Sequence, residues 1–390
     1  MSKTLQDYAT LINDTIQSNE INHYITTDNM CQNLGGIDTF KNINIPQGKV
    51  RSFQKDDVLL SNIRLYFRKV YRAKQKGGCS SDVLVFRAKH IDSATLFAIL
   101  SSQIFTDYAC SGSQGSKMPR GNKTHMMDFK IPTINFTIAK IFNSIQNKIE
   151  NNHKINEILH KILELLYEQY FVRFDFLDEN NKPYQTSGGK MKFSKELNRL
   201  IPNDFEVKTL GELITWISGS QPPKSCHIYE HKEGYIRFIQ NRDYSSNDYV
   251  TYVPISKNNK ICYQYDIMID KYGEAGAVRF GLQGAYNVAL SKISILNQSM
   301  QEYIRSYLNS KPIKKYLSNA CMASTRSSLN ENHIYSLMLP IPPINLLQKY
   351  EKIAKNIITA IIKNNQSTQT LTALRDFLLP LLLKQQVKPQ

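Results

Sequence analysis

The chain carries one internal duplication, and nothing else in the sequence constrains its fold as tightly. Lys3-Thr4-Leu5 returns as Lys208-Thr209-Leu210, and Ile12 returns as Ile217. Asp57-Val58-Leu59-Leu60 returns as Asp266-Ile267-Met268-Ile269. Ile131-Pro132-Thr133-Ile134-Asn135 returns as Ile341-Pro342-Pro343-Ile344-Asn345, and Asn151-Asn152 as Asn364-Asn365. The spacing drifts from 205 to 213 residues, as small insertions in a duplicated sequence make it. Between these anchors the two copies differ widely. Two similar frames with different contents point to two related ligands, one per frame.

A chain of 390 residues is long enough for two or more domains with real cores. In each copy a globular unit precedes a long helical one. Apolar residues at 138, 141, 142, 145, 149, 155, 158, 159, 162, 165 and 166 keep a 3–4 spacing, which predicts one helix over residues 138–170. Positions 350, 353, 357, 360, 361, 371, 374 and 378 predict a second over residues 350–378. At ~1.5 Å per residue each is about 45–50 Å long. Paired antiparallel, they would bury their apolar stripes against each other and hold the globular units apart. Asn152 and Asn364 lie in those stripes, where an asparagine fixes register at some cost in stability. The alternative is that each helix caps its own domain.

The divisions that follow are a globular domain at 1–135, a long helix at 136–175, a linker at 176–205, a second globular domain at 206–338 and a second long helix at 339–390. The linker reading rests on its polar, turn-rich composition, with Pro183, Gly188, Gly189 and Pro202. Buried strands are expected at Val83-Leu84-Val85-Phe86 and Ile267-Met268-Ile269, and helices at 93–102 and 301–310. The fold class is α+β: two globular domains separated by two long antiparallel helices in a tandem pseudo-repeat.

Net charge is +16, with +6 on residues 1–135 and +4 on residues 206–338. A basic chain with no apolar run near ~20 residues points to a polyanionic partner rather than a membrane, with nucleic acid the default. A solvated lysine-rich surface is the plainer explanation. The N-terminus is polar, unlike a signal peptide, and the six cysteines are scattered with no C-x-x-C pair. Both features fit reduced thiols and a cytoplasmic location.

Residues 62–76 form the sharpest basic feature. Read as an extended strand, Asn62, Arg64, Tyr66, Arg68, Arg72 and Lys74 share one face and most apolar groups the other, with no acid between them. Arginine forks match phosphate oxygens and the O6/N7 edge of guanine. A solvated edge strand would carry such charges too. The loop at 111–123 offers glycines and serines for close backbone approach, with Lys117, Arg120 and Lys123 as cations. Its counterpart in the second copy, residues 323–330, contains Arg326. In that copy residues 234–244 alternate again, placing Arg237, Ile239, Asn241 and Asp243 on one strand face beside Arg242. Lys271, Tyr272 and Arg279 follow the repeated Asp266-Ile267-Met268-Ile269 strand, where residues 64–72 follow its partner.

Three enzyme-like patterns do not hold together. His227-Ile228-Tyr229-Glu230-His231 spells a zinc-protease signature, but that motif needs a helix, and Pro222, Pro223 and Gly234 crowd it. Glu206-Val207-Lys208 resembles a nuclease E-x-K without a suitably placed upstream acid. Gly281-Leu282-Gln283-Gly284 is too sparse for a phosphate loop. The adenine-methyltransferase tetrapeptide N-P-P-Y/F is missing, and no nucleophile stands with a base.

Taken whole, the chain resembles the specificity subunit of type I restriction–modification systems, and the resemblance covers nearly all of it. The strings that carry it include Tyr24-Ile25-Thr26-Thr27-Asp28-Asn29-Met30 with Gly35-Gly36-Ile37, and Asp57-Val58-Leu59-Leu60-Ser61-Asn62-Ile63-Arg64. Lys117-Met118-Pro119-Arg120-Gly121 and Leu374-Arg375-Asp376-Phe377-Leu378-Leu379-Pro380 belong with them. So does Phe171-Val172-Arg173-Phe174-Asp175-Phe176 with Pro183-Tyr184 and Ser187-Gly188-Gly189. The resemblance implies that each globular domain is a target-recognition domain reading one half of a bipartite double-stranded DNA target. It implies that the helix pair spaces the half-sites and docks two methyltransferase subunits. It also implies that S-adenosylmethionine, and ATP with Mg where restriction/translocase subunits join, belong to partner subunits and not to this non-catalytic chain. Two other readings stay open: a stand-alone metal-dependent nuclease using Glu206 and Lys208 or His227 and His231, and a protein-binding adaptor.

Overall fold

The computed structural model describes residues 3–38, 43–131, 134–245, 249–322 and 328–382. It divides into two compact units, Met1–Ile155 with Gln366–Gln390, and Asn156–Asn365. The boundaries cut both long helices, so each unit comprises one sheet-rich body and one half of each helix.

In the first unit a four-stranded antiparallel sheet runs Ala9–Ile12, Val83–Ala88, Val58–Ser61, Val70–Arg72 in spatial order. Val58–Ser61 is buried at every position because it lies inside the sheet with both faces covered. A second sheet runs Thr15–Gln17, Lys49–Phe53, Gly77–Cys79, Tyr24–Ile25, the last pair parallel. Helices Ser93–Leu100, Gln103–Ser111 and Lys123–Met127 follow, each with a side-chain cap: Asp92, Ser102 and Asn122 accept the N–H of Thr95, Phe105 and His125.

The second unit rebuilds that frame. Its first sheet runs Ile214–Ser218, Leu290–Ile295, Ile267–Asp270, Val278–Arg279, also antiparallel. Its second runs Tyr252–Pro254, Tyr235–Ile239, Gly284–Tyr286, Ile261–Cys262, again with one parallel pair. Helices Gln301–Asn309, Lys311–Met322 and Glu331–Tyr335 come next. Equivalent residues do equivalent work. Thr4 and Thr209 both head capping boxes, with Asp7 and Glu212. Asn122 and Asn330 both cap a five-residue helix. Asp57 accepts the Gln54 N–H and pairs with Arg87 at 2.8 Å, while Asp266 accepts the Tyr263 N–H and pairs with Lys292 at 3.2 Å.

Residues 176–205 are folded onto the second unit. Met191–Ser194 and Arg199–Pro202 form a hairpin, and Phe176, Ile201 and Phe205 enter the core. The polar composition misleads because the order comes from a few aromatic contacts. Tyr184 stacks on Phe176 at 4.9 Å and donates to the Lys190 carbonyl, and a Cβ at Gly189 would lie 2.4 Å from the Tyr184 ring. Arg199 lies over Phe174 and donates to the Phe171 carbonyl.

The first long helix spans Phe136–Tyr167 and ends in a π turn, Glu168–Val172. The second spans Ile344–Leu382. They run antiparallel within each unit. In the first, Asn135 N donates to Leu382 O and Asn152 Nδ2 to Ser367 and Thr368. In the second, Asn156 Nδ2 donates to Asn365 Oδ1 at 2.7 Å and Asn364 Nδ2 to Asn156 Oδ1 at 2.9 Å. Leu159 and Leu163 pack on Ile358, Ile361 and Ile362. The apolar stripe is nevertheless not wholly consumed: Ile158, Ile162 and Leu165 are 43–59% exposed, so the helix is apolar on a second, open face. No helix among the described residues is long and apolar enough to cross a membrane.

Candidate nucleic-acid interface

After the buried strand Val58–Ser61 the first unit does not continue as an extended ribbon. Arg64 and Arg68 take left-handed backbone, φ 50° and 49°, and bracket a 3-10 turn, Leu65–Phe67. Leu65 plugs into the core, and strand structure resumes only at Val70–Arg72. The single basic face expected over residues 62–76 is therefore corrected: two-residue alternation needs unbroken β backbone, and two left-handed residues interrupt it. Val70 and Tyr71 are both buried, in different clusters on opposite faces of the sheet.

The turn redistributes the cations. Arg68 Nη2 donates to the Ser101 carbonyl at 2.9 Å, and Arg72 Nε lies 3.9 Å from Asp56. Lys74 Nζ reaches Asn147 Oδ1 at 2.8 Å and the buried Glu150 carboxylate at 3.3 Å, both on the first long helix. These three groups serve the protein itself. Asn62 and Arg64 go the other way, towards the loop at 111–123, and Tyr66 meets Phe67 edge-on and stays half exposed. Gly121 N donates to Asn62 O, Arg64 N donates to Pro119 O, and Ile63 bridges Arg120. Gly121 is required there: a Cβ would lie 2.0 Å from Met126 Cε and 2.9 Å from Asn62 Oδ1. Tyr66, Lys117, Met118, Arg120 and Lys123 are exposed. Arg120 holds Asp82 at 3.0 Å but is 61% exposed, and so open an ion pair is weak enough to exchange for a phosphate.

The same backbone junction recurs in the second unit. Asn62 N donates to Asp82 O, and Lys271 N donates to Ala289 O, both at 2.8 Å. Asn62 O accepts from Gly121 N, and Lys271 O accepts from Leu329 N, at 3.1 and 3.0 Å. Different side chains project from it. Lys271 Nζ lies over the Tyr272 ring, Asn241 Nδ2 donates to Tyr272 O, and Arg242 sits 5.8 Å from the centroid of Tyr249. Tyr249 is 70% exposed. It was not among the residues singled out by sequence, since nothing local separates it from the other 21 tyrosines of a chain holding 22.

The extended reading of residues 234–244 holds only for Tyr235–Ile239; Asn241–Tyr244 is a 3-10 turn whose Asp243 carboxylate accepts Gln240 N–H. Asn241 and Asp243 thus leave the strand face that Arg237 keeps. Arg237 lies beside the buried Asp243, whose carboxyl is pushed up by burial and drawn down by the Gln240 N–H and the arginine. Arg279 is bound inward, at 2.9 Å from Asp270 and 2.5 Å from Glu274. Burial raises the Asp270 carboxyl and Arg279 opposes it. Arg326 lies outside the described residues.

The H-x-x-E-H string is not helical. His227 packs on Phe238, His231 meets Tyr252 edge-on, and Ile228 bridges Tyr252. Among the described residues no group of three or more His, Cys, Asp or Glu converges as a metal site. Glu206 and Lys208 lie on the strand Glu206–Thr209, paired with Met338–Ile341.

A family model described as the type I restriction modification DNA specificity domain matches residues 202–373. The chain is 24% identical over 300 residues to the type I restriction enzyme MjaIX specificity subunit of Methanocaldococcus jannaschii, spanning 74% of this chain and 67% of that protein. It is 22% identical over 179 residues to the MjaVIII specificity subunit of the same organism, spanning 45% and 41%. Among solved structures, the S subunit of a type I restriction-modification system from M. genitalium matches with a TM-score of 0.63 at 15% identity, over 99% of this chain and 96% of that one, a likeness of fold.

Proposed function

We propose that this chain is a specificity subunit of a type I restriction–modification system, as the family model over residues 202–373 and the MjaIX relative support, and that each of its two units reads one half of a bipartite double-stranded DNA target. The observation that carries the reading is the repeated junction: Asn62 with Gly121, and Lys271 with Leu329, have one backbone geometry and unlike side chains. One scaffold thereby presents two chemistries to two sequences.

In the first unit the reading surface is Asn62, Arg64, Tyr66, Lys117, Arg120 and Lys123. In the second it is Asn241, Arg242, Lys271 and Tyr272, with Tyr249 added from the structure. Arginine and asparagine pair bidentately with guanine and adenine edges, and the lysines meet phosphates. Arg68, Arg72, Lys74 and Arg279 brace this surface through the partners described above. Functionally the chain divides into recognition domains at 1–135 and 206–338 with a helix pair that spaces the half-sites.

The open apolar face of Ile158, Ile162 and Leu165 supports docking of methyltransferase subunits on the helices. Two such subunits, one per repeat, match the duplication. They bring S-adenosylmethionine, and restriction/translocase subunits bring ATP and Mg. This chain itself contributes recognition and no reaction step, and it works in the cytoplasm, where the DNA is. The test is selection: the chain assembled with a methyltransferase subunit is challenged with random-sequence duplexes. Enrichment of two short motifs at fixed separation is expected; recovery of unselected sequence would refute the reading.

A further inference from the structure

Four of the left-handed non-glycine residues of the first unit meet at one place. Asn33 and Leu34 have φ 52° and 61°, and Arg64 and Arg68 have φ 50° and 49°. Asn33 N donates to Phe67 O at 2.9 Å, and Leu34 N donates to Arg68 O at 3.1 Å. Such backbone is unfavourable for residues with a Cβ and persists only where its surroundings over-determine it. Here the surroundings are a chain of buried hydrogen bonds. The Leu34 carbonyl accepts from Gln146 Nε2 at 2.7 Å, and Gln146 Oε1 accepts from Arg375 Nη1 at 3.1 Å. Gln146 and Arg375 are each 1% exposed, and they come from the first and second long helices. Arg68 is tied alongside to Ser101 O, and Lys74 to Asn147 and Glu150.

A buried arginine is a poor choice for stability alone, since apolar packing usually does as well or better. The linking residue is also chemically specific. Gln146 must donate to a carbonyl and accept from a guanidinium at once; a glutamate can only accept and a leucine can do neither. We propose that Gln146 and Arg375 are positioning residues for DNA reading, holding residues 64–68 through Leu34 so that Arg64 and Tyr66 present to the target. Half-site discrimination by this unit then depends on a contact made on the two helices. The inference rests on the DNA-reading role proposed above.

Two variants test it, each assembled with a methyltransferase subunit and passed through the random-duplex selection, with thermal melting alongside. Gln146→Leu with Arg375→Met removes both buried polar partners together, leaving no buried charge unpaired. Gln146→Glu keeps an acceptor for Arg375 and loses the donor to Leu34 and, with it, the 3.3 Å bond to Glu150 Oε1. For both, preference at one half-site falls about tenfold or more, the scale of one lost bidentate base contact. The other half-site is selected as before, and melting falls in both variants, since each strands the buried Leu34 carbonyl, while the complex stays folded at the selection temperature. Should the double variant not fold, Gln146→Glu decides alone. Selection of both half-sites as in the unaltered chain overturns the proposal, as does equal loss at both or a loss that vanishes when selection is run well below the melting temperature of the variant. An unaltered complex that selects no sequence at all refutes the DNA-reading role beneath it.

Discussion

Lys117 and Lys123 are exposed, and no ion pair to either is found among the described residues. If they meet phosphates, replacing both by alanine removes two released counterions from binding. Each contributes about 0.9 to the slope of log affinity against log salt, so the slope falls by ~1.8. Taking the affinity extrapolated to about 1 M salt as unchanged, binding near 0.1 M salt weakens by roughly 60-fold. Between about 50 and 200 mM salt, the unaltered complex should lose about 12-fold more affinity than the variant. Folding should hold within about 0.5 kcal/mol, because both side chains lie on the surface. Fluorescence anisotropy on a target duplex across this salt range, with melting as a control, reads both quantities. An unchanged slope in a folded variant refutes the placement of these lysines on DNA, whatever happens to affinity at one salt concentration.

Lys74→Ala should behave in the opposite way: it takes the ion pair from the buried Glu150 carboxylate and leaves it the Gln146 amide, costing about 1–3 kcal/mol of stability by denaturant melting, and leaves the salt slope of DNA binding unaltered. Glu351 predicts a pH effect. Its carboxylate accepts the N–H groups of Glu302 and Tyr303 at the start of the helix Gln301–Asn309, and burial pushes it up from 4.5 to about 7. The folded state therefore holds a proton that the unfolded chain has released, so stability falls as pH rises from about 4.5 to 7 and levels off above. Glu351→Gln should flatten that fall in pH-dependent melting, and an unchanged profile would show that another group titrates.

The frame was legible because duplication exposes whatever both copies share. The paired strings at Asp57 and Asp266 are the central buried strands of two like sheets, and the 3–4 spacing of apolar residues located both long helices. Side-chain destinations were much less legible. Arg68 and Lys74 read as surface cations because their neighbours in sequence are basic, yet Lys74 finds its acid 76 residues away on Glu150. Two-residue alternation could not reveal that Arg64 and Arg68 turn left-handed, since that conformation is imposed by Phe67 and Arg68 carbonyls bonding residues 33 and 34. The Gln146–Arg375 contact spans 229 residues and leaves no local trace. Residues 176–205 read as a linker because polar composition hides the stacking of Phe176 and Tyr184 and the contact of Arg199 with Phe174. Likewise, Tyr249 gains its interest only from lying under Arg242.

The most direct measurement is the methylation pattern made by the assembled complex. The chain is co-expressed with its methyltransferase subunit in a methylation-free host, and modified adenines are mapped by single-molecule sequencing. The account predicts one split motif, two short specific halves around a fixed unspecified gap, with one half altered when Arg242 and Lys271 are replaced by alanine. A stable complex that methylates nothing new, or a motif whose two halves change together in that variant, would contradict it.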